Sequence, residues 1–406
     1  MSAQVREVGV KWRARHHRTP QNHSPRALQR VTRLTRHARD GLGCKTYRPA
    51  TGGRTVQTDH VTGTLPPPNE DGQEALRAGL RELVTTTSHV REQVESVVTG
   101  RPDLARLTVA VLLAGGHLLV EDVPGVGKTT LAKALARTID SRVGRVQFTP
   151  DLLPSDLTGV NVYRSATGEF EFRPGPVFNN VVIGDEINRA SPKTQSALLE
   201  CMEEGQVTVD GSTYVLPKPF LVVATQNPVE MEGTYPLPEA QRDRFMARLA
   251  VGYPDNEAEM AMLDAQSSGD PLAHLRPVTH ADTMLRYAGW IRAVHAAPAV
   301  KQYILDLVGR TRDHAGLRLG ASPRASLQLL KVAKAHAAMA GRMHVLPDDV
   351  QALAVPVLAH RLVLSTESRL TGLDGPGIIE EVLRQTPVPA RAHAAPGGAA
   401  VPRQPR

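Results

Sequence analysis

The chain has 406 residues, 41% of them hydrophobic and 22% charged, with 48 Lys+Arg against 41 Asp+Glu. That length allows roughly two or three domains of ~100–200 residues; two cysteines exclude a disulfide scaffold and a Cys-rich zinc module, and 4% aromatic residues argue against base-stacking platforms. The net charge of +7 is unevenly placed, since residues 1–65 hold 13 Lys/Arg against 3 acidic residues while 66–406 hold 35 against 38, so basicity alone does not make this a nucleic-acid binder.

Residues 1–68, rich in Arg, His, Thr and Gly and closed by Pro66-Pro67-Pro68, bury too little apolar surface to offset their ordering entropy and are expected to be a disordered basic segment and linker. No Met lies between Met1 and Met202, and this segment, without identifiable chemistry, is expected to be an overcalled start or a dispensable tail. Leu76, Leu80 and Leu83, then Val90, Val94 and Val97, recur at helical spacing, and a second helix follows over 103–114. Short apolar strands over 117–121, 145–148, 181–183 and 220–224 alternate with helices over 129–138 and 191–202, the pattern of a mostly parallel α/β sheet. Hairpins are predicted over 160–173, with Gly168 at the turn, and over 207–216, around Asp210-Gly211. After Tyr253 the strand signals stop, and helices near 257–266, 285–294, 300–312, 322–340 and 347–358 suggest an all-helical domain. The organisation expected is therefore 1–68 disordered, 69–252 an α/β core, 253–385 a helical domain and 386–406 a disordered tail. No run reaches the ~18–20 apolar residues of a membrane span, and residues 1–30 lack an apolar signal core; a cytoplasmic protein without stable membrane insertion is expected.

Between the first strand and the following helix stands Glu121-Asp122-Val123-Pro124-Gly125-Val126-Gly127-Lys128-Thr129-Thr130, where a phosphate-binding loop belongs. Glycines let backbone N–H groups turn toward phosphate oxygens, and the helix adds its positive end. Lys128 would reach the β- and γ-phosphates of ATP, and the Thr129 hydroxyl would ligate Mg²⁺. The first glycine of the usual pattern is Asp122 here. An apolar strand then ends in Asp185-Glu186: Asp185 would hold the Mg²⁺ shell and Glu186 would activate the attacking water. A further strand delivers Asn227, placed to sense the γ-phosphate or the water, although an Asn-Pro pair also starts ordinary turns. Arg242 and Arg244 offer a finger for a neighbouring subunit's phosphate, and Arg324, at a helix start, is expected to face back toward the cleft. Cys201 ends an apolar helical pattern and reads as a buried structural thiol.

In this order, Glu121 to Thr129, Phe148-Thr-Pro-Asp-Leu-Leu-Pro-Ser-Asp-Leu-Thr-Gly159, Gly175-Pro-Val-Phe178, Asp185-Glu-Ile-Asn-Arg-Ala190, Thr225-Gln-Asn-Pro228, Gly233-Thr-Tyr-Pro-Leu-Pro-Glu-Ala240 and His360-Arg361 resemble the MoxR family of AAA+ ATPases, over about 73–383. The resemblance accommodates Asp122. It implies an AAA+ P-loop domain with a helical lid, Walker A at Pro124, Gly125, Val126, Gly127, Lys128, Thr129 and Thr130, and Walker B at Asp185 and Glu186. Sensor 1 would be Asn227, the arginine finger Arg244, with Arg242 the alternative, and sensor 2 Arg324. The hairpin over 160–173 would lie on the substrate face. Gly184 stands where the family has a bulkier residue and is expected to loosen local packing. The resemblance also implies a Mg²⁺-dependent ATPase working as a hexameric ring, a chaperone-like remodelling or maturation factor for a partner with a von Willebrand factor A domain. The related alternative is a motor subunit of the magnesium-chelatase type. A nucleic-acid-dependent motor, from another class, rests only on the basic N-terminal segment, and the acidic balance of 66–406 argues against it.

Overall fold

In the computed structural model, residues 70–98, 100–121, 127–227, 234–250, 252–253, 256–267 and 269–389 are described. The expectations for 1–68 and for 390–406 lie outside them.

Two helices come first, α1 (Glu70–Glu95) and α2 (Pro102–Leu113). The α/β part runs β1 (Leu118–Glu121), α3 (Lys128–Thr138), β2 (Val143–Gln147), α4 (Pro154–Thr158), β3 (Gly159–Arg164), β4 (Glu169–Pro174), β5 (Val181–Asp185), α5 (Pro192–Glu204), β6 (Gln206–Val209), β7 (Ser212–Val215), β8 (Leu221–Gln226), α6 (Glu239–Arg242) and β9 (Ala247–Leu249). The helical part follows: α7 (Asn256–Ser267), α8 (Ala281–Ala293), α9 (Pro298–Arg312), β10 (Leu317–Leu319), α10 (Pro323–Met339), α11 (Pro347–Leu358), β11 (Val363–Leu364), α12 (Thr366–Leu370) and α13 (Gly375–Gln385).

Five strands form one parallel sheet in the order β2-β5-β8-β1-β9. Its inner strands are buried on both faces, and their residues divide by parity, as a period of two requires. Leu118, Val120, Val181, Ile183, Leu221 and Val223 enter one core with α1, α2, α3 and the helical part. Leu119, Val182, Val222 and Ala224 enter a second core with Phe148, Phe178, Leu198 and Phe245.

Four details depart from the sequence reading. β9 adds a fifth strand, which three residues with half-exposed Arg248 at the centre do not announce. The helical part contains an antiparallel pair, β10 with β11, so it is not wholly helical; each strand is too short to carry a period. Thr386 is buried, its hydroxyl donating to the Val382 carbonyl at 2.7 Å, so the chain is still tied down where a loose tail was expected to begin. Gly184 does not loosen the packing: a Cβ there would stand 2.8 Å from the Phe148 ring, which fills the space and is itself fully buried.

Both hairpins form. β3 pairs with β4 and β6 with β7, the latter turning on Asp210 and Gly211, both at positive φ. Asn161 donates to the Asp210 carboxylate at 2.8 Å and links the two. Cys201 is buried, and desolvation pushes its thiol up to about 12, far from a reactive thiolate. Among the described residues no helix is long and apolar enough to cross a membrane.

Candidate active site

β1 leads into residues 122–126, so Pro124, Gly125 and Val126 lie outside the described residues. Gly127 caps α3 in the left-handed region, φ 84°, where an L side chain is disfavoured. Lys128, Thr129 and Thr130 then occupy the first helical turn, whose N–H groups have no intrahelical acceptor and where the helix dipole is positive. Parallel pairing brings the C-terminal ends of β2, β5 and β8 to the same edge, with Gln147 opposite Asp185 and Gly184 opposite Ala224. The result is a cleft of about 360 Å³ lined by Gly127, Lys128, Thr129, Thr130, Arg145, Gln147, Asp185, Glu186, Thr225 and Asn227. Lys128, Thr129, Asp185, Glu186 and Asn227, remote in sequence, thus share one cavity.

The two carboxylates are held differently. Asp185 is buried; its Oδ1 accepts from the Thr129 and Thr225 hydroxyls, each at 3.4 Å, and its Oδ2 accepts from Arg145 Nε at 2.8 Å. Glu186 follows the strand in a left-handed conformation, φ 59° and ψ 50°, a local strain of about 1–3 kcal/mol for a non-glycine residue. Its N–H donates to Thr225 Oγ1 at 3.0 Å, and its Oε2 accepts from Gln147 Nε2 at 2.8 Å and Arg189 Nη1 at 2.9 Å. Thr225 therefore joins β8 to both acids.

The donor set fits a hard divalent cation that keeps most of its shell elsewhere. Among the described residues no group of three or more His, Cys, Asp or Glu side chains could hold a metal ion. In the cleft that Lys128 lines, Asp185 Oδ1 and the Thr129 hydroxyl stand 3.4 Å apart, a sparse donor set that suits Mg²⁺ completed by phosphate and water oxygens and not a closed protein cage.

Arg244 and Arg324 do not line this cleft. Arg244 Nη1 donates to Glu203 Oε2 and to the Leu199 carbonyl, at 2.9 and 2.6 Å, and Arg324 pairs with Glu203 through its other oxygen, Oε1. The expectation that Arg324 faces its own cleft is thus corrected. Ser322, the N-cap of α10, donates to both Asp243 oxygens at 3.0 and 2.9 Å, and that anchor sets the helix start beside the end of α5. Arg242 has its Nε buried without a partner among the described residues. His360-Arg361 serves the same junction: Arg361 reaches Asp243, the Phe245 carbonyl and Gln328, and His360 Nε2 donates to the Phe245 carbonyl at 3.1 Å. A larger cavity, about 900 Å³, lies in the helical part between Leu305 and Pro387 and contains none of the motif residues.

Sequence reasoning missed Arg145, Gln147, Thr225, Arg189 and Glu203. The i,i+3 spacing of Glu186 and Arg189 was a visible signal, and so was the alternation of Arg145 and Gln147 along β2; the meeting at Glu203 had none.

A phosphate-loop helix and two strand-end acids on a parallel sheet, followed by a helical part packed against it, define an ATP-binding ATPase of the AAA class. The chain matches the family model "ATPase family associated with various cellular activities (AAA)" over residues 117–247 and "AAA lid domain" over 309–382. It is 50% identical over 303 residues to YeaC of Bacillus subtilis, covering 75% of this chain and 95% of that protein. It is 39% identical over 320 residues to Chaperone MoxR1 of Mycobacterium tuberculosis, covering 77% and 84%, and 35% identical over 323 residues to Protein MoxR of Paracoccus denitrificans, covering 73% and 94%. A crystal structure of a proposed ATPase from Cytophaga hutchinsonii superposes with a TM-score of 0.74 at 39% identity, covering 78% of this chain and 99% of that one. The chain belongs to the MoxR family of AAA+ ATPases.

Proposed function

We propose that this protein is a Mg²⁺-dependent ATPase that works as a hexameric ring in the cytoplasm and remodels or matures a partner protein, with the ATPase core at 69–252 and the lid at 253–385. The observation that carries the reading is the convergence of Lys128, Thr129, Asp185, Glu186 and Asn227 on one cleft at the C-terminal edge of the sheet. Residues 124–130 cradle the phosphates, and Lys128 takes their terminal oxygens. Thr129 and Asp185 would hold Mg²⁺, which would supply charge neutralisation when bound. Glu186 accepts a proton from the attacking water through its carboxylate, which Gln147 and Arg189 hold at Oε2. The Asn227 amide orients that water.

Arg244 and Arg324 sit together on Glu203, outside their own cleft, so we assign both to the phosphates of the neighbouring subunit, with Arg244 as the finger. This makes the ring a condition of turnover. The chaperone-like role is supported by the likeness to Chaperone MoxR1, and the partner we propose, on family membership, carries a von Willebrand factor A domain. Glu186→Gln should bind ATP and lose turnover, and as a trap it should retain such a partner in a pull-down. Full ATPase activity in that variant overturns the site assignment. A fully active monomer on dilution overturns the trans assignment.

A further inference from the structure

β2 carries two side chains that no motif accounts for. Its residues alternate exposed and buried from Val143 to Gln147, so Arg145 and Gln147 leave the same face of the strand, over the cleft. Gln147 goes to Glu186 and Arg145 to Asp185. The Asp185 carboxylate is thereby divided: Oδ1 faces the Thr129 and Thr225 hydroxyls, and Oδ2 accepts from Arg145 Nε. A cation beside Thr129 and a guanidinium on Oδ2 are therefore compatible. The Arg145 side chain is 56% exposed, and Asp185 is its one partner among the described residues. A pair so open to water adds at most ~1 kcal/mol to stability. What the arrangement does provide is a guanidinium held at Nε on a residue that lines the phosphate-binding cavity, with no partner on its terminal nitrogens among the described residues, and that planar fork matches two oxygens of one phosphate.

We propose that Arg145 is a second phosphate-reading cation of its own subunit's cleft, anchored on Asp185 and directed at the terminal phosphate of ATP. The terminal position follows from its place beside Asp185 and Glu186, at the end of the cleft where the attacking water is assigned. The proposal rests on that assignment. It would let the resting subunit distinguish ATP from ADP before any neighbour supplies an arginine.

Equilibrium titration of the full chain with ATP and with ADP in EDTA, and again with Mg²⁺ in the Glu186→Gln background, tests this without turnover. Arg145→Ala should weaken ATP binding by about 10-fold or more, the loss of a charge-assisted pair, and ADP binding by less than about 3-fold. Arg145→Gln, which keeps a donor for Asp185, should follow Ala, and Arg145→Lys, which keeps the charge and loses the fork, should fall between. Equal losses for ATP and ADP overturn the proposal, as does wild-type ATP binding in the Gln variant. Lys128→Ala should weaken both nucleotides; if it weakens neither, the phosphate-loop assignment fails, an outcome separate from any result at Arg145.

Discussion

Arg361 offers the sharpest test of how the helical part is joined to the ATPase core. Its side chain is 1% exposed. Nε donates to the Val357 carbonyl at 2.7 Å, Nη1 to the Asp243 carbonyl at 3.0 Å and to its carboxylate, and Nη2 to the Phe245 carbonyl at 2.6 Å. Burial lowers its pKa to about 10, so it remains charged at neutral pH. Arg361→Met keeps much of the volume but removes the cation beside the Asp243 carboxylate and one donor from each of three carbonyls. Breaking a buried pair in this way costs about 3–5 kcal/mol. At roughly 2–4 °C per kcal/mol for a domain of ~150–250 residues, Tm should fall by on the order of 10 °C. Arg361→Lys should recover little, because one ammonium cannot serve four acceptors spread over a planar fork. In the Met background Asp243→Asn should raise Tm again by removing the stranded charge, a non-additive result by scanning calorimetry. A Tm within about 2 °C of wild type for Arg361→Met, or strict additivity with Asp243→Asn, refutes the tether.

Glu203→Gln removes the carboxylate shared by Arg244 and Arg324; each exposed pair is worth up to ~1 kcal/mol, so ATPase activity at limiting subunit concentration should rise by about 2–10-fold, and a fall argues against the trans assignment. Gly184→Val should press on the Phe148 ring, 2.8 Å from the Cβ position, and cost about 1–3 kcal/mol in urea unfolding; an unchanged midpoint contradicts the packing described. His117 is buried as the neutral tautomer, Nδ1 accepting from the Val222 N–H at 3.0 Å and Nε2 donating to the Met202 carbonyl at 3.1 Å, and desolvation lowers its pKa from 6.5 to about 4. Below pH 6.5 the unfolded chain binds a proton that the folded chain refuses until about pH 4, so stability is full above this window and falls by about 3 kcal/mol as pH drops through it. His360 is shifted in the same direction, and denaturant unfolding from pH 7.5 to 5 should show the loss; a flat profile counts against it.

The α/β sheet was legible because its central strands are continuous apolar runs, and the phosphate loop because Gly125-x-Gly127-Lys128-Thr129 sits between a strand and a helix. Asp185 and Glu186 were legible once that loop fixed what the next strand end must do. β9 and the β10–β11 pair were not, since two or three residues carry no period. Nor was the setting of the acids: Arg145 and Gln147 acquire their partners only when β2 lies alongside β5 in one register. Glu203 gathers Arg244 and Arg324 from 41 and 121 residues away, a proximity created by the Asp243 anchors and by no local pattern.

The division of the sheet's side chains between two cores has a consequence for how this molecule comes apart. The core on one face holds Leu118 and Val223 from the strands, Leu83 from α1, Leu112 from α2 and Tyr287, Leu329 and Val357 from the helical part. No cut after β9 can free the nucleotide-binding half without stripping the cover from that face. The helical part is therefore half of the ATPase's own folding unit, and heat or denaturant should melt the two in one cooperative step.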